Sequence, residues 1–126
     1  MDNDLIAKPP YETNTRSVYF DVDNTLVMWP GGSTGFKGAV DGKDLIDIAG
    51  YKVSPHLKHI QLLKDYKVSG CDIIVWSQAG KAWANAVVDA LGIREFVDYC
   101  LTKPDVYVDD LEAGHFMTTR QYLDPK

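Results

Sequence analysis

Only two cysteines, Cys71 and Cys100, occur in 126 residues, too few for the disulfide framework that staples small secreted folds. Basic residues are also scarce: 13 Lys and Arg stand against 18 Asp and Glu, a net charge of -5. A surface that grips duplex nucleic acid through its phosphates carries the reverse balance, so no duplex-binding surface is expected. Nucleic acid stays open as a substrate, but not as a general electrostatic partner. No run of about 20 apolar residues is present, so no helical membrane span is expected. The opening Met1-Asp2-Asn3-Asp4 has no basic stretch followed by an apolar one, so no signal peptide is read, and cytoplasmic residence is the default expectation. Internal repeats and low-complexity segments are lacking too.

What remains is an ordinary folding composition, 45% hydrophobic and 25% charged, long enough for one core and too short for two. A single domain over 1–126 is expected, with 1–15 as a loose leader because Pro9, Pro10 and Asn14 interrupt any periodicity. An apolar run at Ser17–Asp21 predicts a first strand. From Met28 to Val53, Gly31, Gly32, Gly35, Gly38, Gly42 and Gly50 break up short apolar patches, which predicts a mobile flap or hairpin rather than core. Its Lys37, Lys43 and Lys52 balance Asp41, Asp44 and Asp47, so it is no electrostatic funnel for polyanions.

Ser54-Pro55 reads as a helix start, Ser as N-cap and Pro at the first helical position, and Leu57, Ile60, Leu63 and Tyr66 keep helical spacing up to Gly70. His56 and His59 are three apart but lack an acidic or cysteine partner nearby, so a solvated helix face is expected rather than a metal site. Cys71–Ser77 is a continuous apolar run suited to a strand buried on both faces. A helix over Lys81–Leu91, stopped by Gly92, leads to a third strand at Phe96–Leu101 and a fourth at Val106–Val108. Alternating strands and helices predict an α/β fold with right-handed crossovers and a parallel sheet. In such a sheet Cys71 and Cys100 lie at opposite ends of neighbouring strands, roughly 15 Å apart at about 3.3 Å per residue, beyond the reach of a disulfide.

The chemistry gathers at strand ends. Strand one delivers Asp21 and Asp23, two carboxylates aimed at one small volume, whose mutual repulsion calls for a cation or a shared proton; Mg²⁺, which takes hard oxygen ligands, is the natural candidate. An EF-hand loop also opens Asp-x-Asp, but it needs Gly at its sixth position and Glu at its twelfth, where this chain has Leu26 and Gly32. Strand two ends at Ser77, strand three leads to Thr102-Lys103, and strand four ends at Asp109-Asp110. In an open α/β sheet the ligand site lies beyond these carboxyl ends. A receiver domain of two-component signalling combines similar residues, but its acidic pair comes first and its Lys-Pro last; here the Asp pair follows Lys103-Pro104.

In this order the residues resemble the haloacid dehalogenase (HAD) superfamily of phosphohydrolases over about residues 17–114. Val18–Thr25 looks like its first motif, Ile73–Ser77 the second, Lys103-Pro104 the third and Val106–Asp110 the fourth. Phe20–Pro30 is also similar to the small magnesium-dependent phosphatases of that superfamily. The resemblance implies a Rossmann-like three-layer αβα sandwich and phosphomonoester hydrolysis through an aspartyl phosphate. Asp21 would be nucleophile and metal ligand, Asp23 proton carrier and backbone metal ligand, and Asp109 and Asp110 direct and water-mediated ligands of Mg²⁺. Ser77, Lys103 and Thr25 would hold the phosphoryl oxygens, Thr25 chiefly by shaping the turn beside them.

Only five residues separate Lys103 from Asp109 and the 28–53 insert is flap-sized, so no cap domain is expected. An open site favours a bulky substrate or a partner that supplies the lid. The remaining 111–126 allows a short helix and an edge element. A phosphorylated small molecule or an exposed phosphate on a macromolecule is the expected partner. Two alternatives stand beside the metabolite phosphatase: a nucleic-acid end phosphatase acting on 3′-phosphates, and a silent relative that binds phosphate or a partner without turnover. Trp29, Phe36 and Trp83 are candidates for a ring-binding pocket.

Overall fold

The computed structural model describes residues 16–31 and 44–125; the leader 1–15 and the part of the insert that carries Phe36 lie outside them. Three strands form a parallel sheet in the order β1 (Ser17–Asp21), β5 (Asp72–Ser77), β6 (Tyr99–Thr102). Phe20 stands opposite Val75, and Val75 opposite Cys100. β5 is the central strand, and its run Ile73–Val75 is buried, as a parallel strand covered on both faces requires. The strand limits of β1 and the parallel pairing follow the sequence expectation. Both cysteines are free, Cys71 buried and Cys100 half-buried.

A second sheet, antiparallel, joins β2 (Val27–Met28), β4 (Tyr51–Pro55) and β3 (Ile46–Ile48) in that order. In the described part of the insert β3 and β4 form a hairpin, and this part is not kept out of the core: Met28, Ile48 and Val53 are buried. The glycine count of this region masked its alternating apolar positions. Ala49 and Gly50 turn the hairpin with positive φ, and Asp47 accepts from the Gly50 N–H at 2.9 Å, the side-chain turn that short polar residues favour.

The first long helix, α1 (Leu57–Val68), begins two residues later than the Ser-Pro signal predicts. Ser54 and Pro55 belong to β4, and His56 is the N-cap, its ring accepting from the His59 N–H at 3.1 Å. β4 claims Ser54 because its pairing with Met28 outweighs a local capping preference. The second, α2 (Lys81–Ala90), packs on β5 and β6 and buries Ala84, Val87 and Val88. Its first turn is capped from outside, Thr102 Oγ1 accepting from the Lys81 N–H at 3.0 Å. That contact ties the end of β6 to the start of α2. Val22, Leu26, Leu63, Ile73, Val75 and Ile93 form the middle of the core.

Other expectations fail. Val106–Val108 is not a strand: no ladder holds it, and Val106 and Val108 are 80% and 98% exposed. Local bonds take its place, Asp109 Oδ1 accepting from Leu111 N–H at 3.0 Å and Tyr107 Oη from Ala113 N–H at 2.9 Å; side-chain bonds of this kind compete with sheet pairing, and Pro104 has no N–H to lend a ladder. His56 and His59 do not lie on a solvated face either, being 1% and 2% exposed. Beyond them the chain forms a short helix α3 (Ala113–Phe116) and then an extended tail, with no edge strand among the described residues. No described helix is long and apolar enough to cross a membrane.

Candidate functional site

β1 runs out at Asp21, and the next six residues fold back tightly. The Val22 carbonyl accepts from the N–H groups of Thr25, Leu26 and Val27 at 3.1, 2.9 and 3.2 Å, while Asn24 takes a left-handed φ of 60°, which Asn tolerates better than most residues. Burial of Val22 and Leu26 in the core anchors this loop from below. The fold-back brings the Thr25 hydroxyl onto Asp21, donating to Oδ2 at 3.2 Å.

Lys103 arrives from the far side of the sheet. The β5–β6 ladder pairs Ser77 with Thr102, and the Lys103 N–H continues it by donating to the Ser77 carbonyl at 2.9 Å. The side chain then reaches across Trp76, its Nζ 5.8 Å from the ring centroid, to lie 3.8 Å from Asp21 Oδ1. Both partners are partly exposed, so solvent screens the pair and its value lies in placing a cation beside the carboxylate rather than in stability.

Asp23 is held differently. Its Oδ1 accepts from two indole N–H groups, Trp29 Nε1 and Trp83 Nε1, each at 3.0 Å. Trp29 is positioned by its own backbone N–H, which donates to Asn24 Oδ1 at 3.3 Å. Asp21, Asp23, Thr25 and Lys103 all line one cavity of about 1060 Å³ that runs along β1 and is closed on its other side by α1 and the segment 116–122.

Four of the seven sequence-derived site residues therefore meet. Ser77 stays off the cavity wall: it is 1% exposed, and its Oγ accepts from the Ala79 N–H at 3.0 Å, so it shapes the turn before α2. Asp109 and Asp110 are exposed and do not line the cavity. The Leu111 N–H holds the Asp109 carboxyl below the ordinary carboxylate range. Without a fourth strand to carry them, nothing delivers these two carboxylates to the rim. Among the described residues no group of three His, Cys, Asp or Glu is placed to hold a metal ion.

Sequence reasoning missed the two indole donors on Asp23 and the binding of the tail. Trp83 reads as an apolar helix position, and the pattern weighs its ring rather than its N–H. The tail has no periodicity, yet the Tyr122 hydroxyl donates to the Asn24 carbonyl at 2.7 Å and Leu123 bonds both buried histidines. No family model, no curated protein and no solved structure matches this chain.

Proposed function

We propose that this chain is a Mg²⁺-dependent phosphomonoesterase of the HAD type that works through an aspartyl phosphate, on a HAD-like form of the α/β sheet. The observation that carries the reading is Asp21 at the carboxyl end of a parallel strand, with the Lys103 ammonium at 3.8 Å and the Thr25 hydroxyl at 3.2 Å, beside a second carboxylate, Asp23, in the same cavity.

The donor set fits Mg²⁺ in kind: hard oxygens from Asp21 and the Asp23 backbone carbonyl, the number that an ion retaining several waters and sharing its ligands with a phosphate needs from protein. Asp109 and Asp110 would join them if Val106–Val108 paired along the outer edge of β1, which has no partner among the described residues. When bound, Mg²⁺ would supply charge that screens the carboxylate from the phosphate.

This chain's own groups do the rest. Asp21 attacks phosphorus, dividing a hard hydrolysis into two displacements. Lys103 holds phosphoryl oxygens and lowers the cost of bringing two anions together. Thr25 fixes the orientation of the nucleophile. Asp23 gives its proton to the ester oxygen as the bond to phosphorus breaks, then takes one from the water that attacks the aspartyl phosphate.

Hydrolysis of p-nitrophenyl phosphate with Mg²⁺ tests the reading. Asp21→Asn is expected to abolish turnover while leaving the protein folded, and chelation is expected to silence the wild type. Undiminished turnover in the variant would remove Asp21 as nucleophile. Comparing a 3′-phosphorylated oligonucleotide with mononucleotides then separates an end phosphatase from a metabolite phosphatase.

A further inference from the structure

We propose that Trp29 and Trp83 are positioning residues that fix which oxygen of Asp23 meets the leaving group; the inference rests on the phosphatase reading above. Trp29 follows β2, and Trp83 lies in the first turn of α2, 54 residues further on in the sequence. Both indole N–H groups nevertheless end on the same atom, Asp23 Oδ1, at 3.0 Å each.

An indole nitrogen only donates, and a carboxylate oxygen has two lone pairs to offer. Two such donors fill Oδ1 and leave Oδ2 as the oxygen available to the reaction. The clamp is itself braced. The two indoles lie 6.3 Å apart, and the Tyr51 ring packs edge-on to both, at 5.9 Å from Trp29 and 5.6 Å from Trp83. The first-motif loop, the hairpin and α2 thus converge on one carboxyl group.

General acid catalysis depends on where the proton points. In the first displacement the Oδ2 proton passes to the ester oxygen as the P–O bond breaks and the Asp21–phosphorus bond forms. In the second, water gives a proton to Oδ2 as its oxygen bonds phosphorus and the Asp21–phosphorus bond breaks, which restores the carboxyl group. A carboxyl free to rotate would present either oxygen and spend much of its time misaligned.

Leaving-group dependence separates this role from simple packing. Trp29→Phe and Trp83→Phe keep a ring and remove the N–H. With a primary alkyl phosphate, whose alkoxide needs the proton, each variant is expected to lose about 10-fold or more in kcat/KM, which reports the first displacement alone. With p-nitrophenyl phosphate, whose phenolate leaves unaided, the loss in kcat/KM should stay within about threefold on the same reasoning, the second displacement being common to both substrates and outside this ratio. Equal losses in kcat/KM on the two substrates, or none, would overturn the proposal.

The clamp is also visible without turnover. The chain has three tryptophans and hence three indole N–H resonances; Asp23→Ala should move those of Trp29 and Trp83 and spare Trp76, with the backbone spectrum intact. If neither moves, the geometry is wrong whatever the activity. If both move but the wild type hydrolyses no phosphomonoester, the phosphatase reading fails and the positioning role fails with it.

Discussion

Lys103 owes its place to a single backbone bond, the donation from its N–H to the Ser77 carbonyl, after which the side chain has only to lie over Trp76 to reach Asp21. Its ammonium is the one cation found beside the proposed nucleophile among the described residues. Lys103→Met keeps the length and removes the charge, and is expected to lower kcat for p-nitrophenyl phosphate by about 10²-fold, the usual cost of losing one donor to a developing anion. Steady-state kinetics check this, with thermal unfolding expected to stay near the wild type because the exposed pair adds little stability. Asp21, Asp23, Thr25 and Lys103 were legible because strand ends in a parallel sheet share a rim, and that rule needs only the order of apolar runs. The indole partners of Asp23 were not, since they lie 6 and 60 residues away and nothing in a linear pattern says where a ring N–H points.

His56 and His59 work as a unit in joining α1 to the loop and the tail. Their rings stack at 3.7 Å with 9° between planes. His56 Nδ1 accepts from the His59 N–H, and its Nε2 donates to the Leu123 carbonyl at 2.9 Å; His59 Nδ1 donates to the Thr25 carbonyl at 2.7 Å, and its Nε2 accepts from the Leu123 N–H at 2.8 Å. Each ring uses one nitrogen as donor and one as acceptor, so both are neutral and in opposite tautomers. Burial pushes both below their ordinary value of 6.5, Lys58 adding to the effect at His56 and Asp124 opposing it. The unfolded chain therefore takes up protons first. Stability from the pair is full above about pH 6.5 and falls as the pH drops from there towards the lowered folded values. Urea unfolding between pH 8 and 5 should show this decline, and His59→Phe should flatten it while lowering stability at pH 8 by about 1–3 kcal/mol, because the Leu123 N–H and Thr25 carbonyl lose their partner. A midpoint independent of pH in the wild type would contradict the paired neutral tautomers. That α1 is a helix was readable from spacing, though Leu57 of the expected stripe is exposed; the burial of two histidines was not, because their partners are main-chain groups of the loop after β1, of α1 itself and of the tail.

The molecule as a whole has a parallel sheet that stops at β1. Outside that strand lies the cavity, and further along the chain Val106–Val108 stands exposed with strand-like residues and no ladder. Alternating apolar runs and glycine stops made the sheet legible, whereas the loose fourth segment depends on whether three residues can outbid their local turn bonds. If the phosphatase reading holds, Mg²⁺ with a phosphate mimic should draw this segment onto the β1 edge. Hydrogen exchange is then expected to slow at 106–108, and chelation to restore the fast rates; unchanged exchange would leave Asp109 and Asp110 without a role in the metal site. The most direct measurement is the covalent intermediate itself. Protein quenched during turnover and reduced with borohydride, which converts an acyl phosphate to the alcohol, should carry homoserine at position 21 in its peptide map. Release of phosphate with Asp21 unmodified, or with the label on another residue, would contradict nucleophilic attack by Asp21.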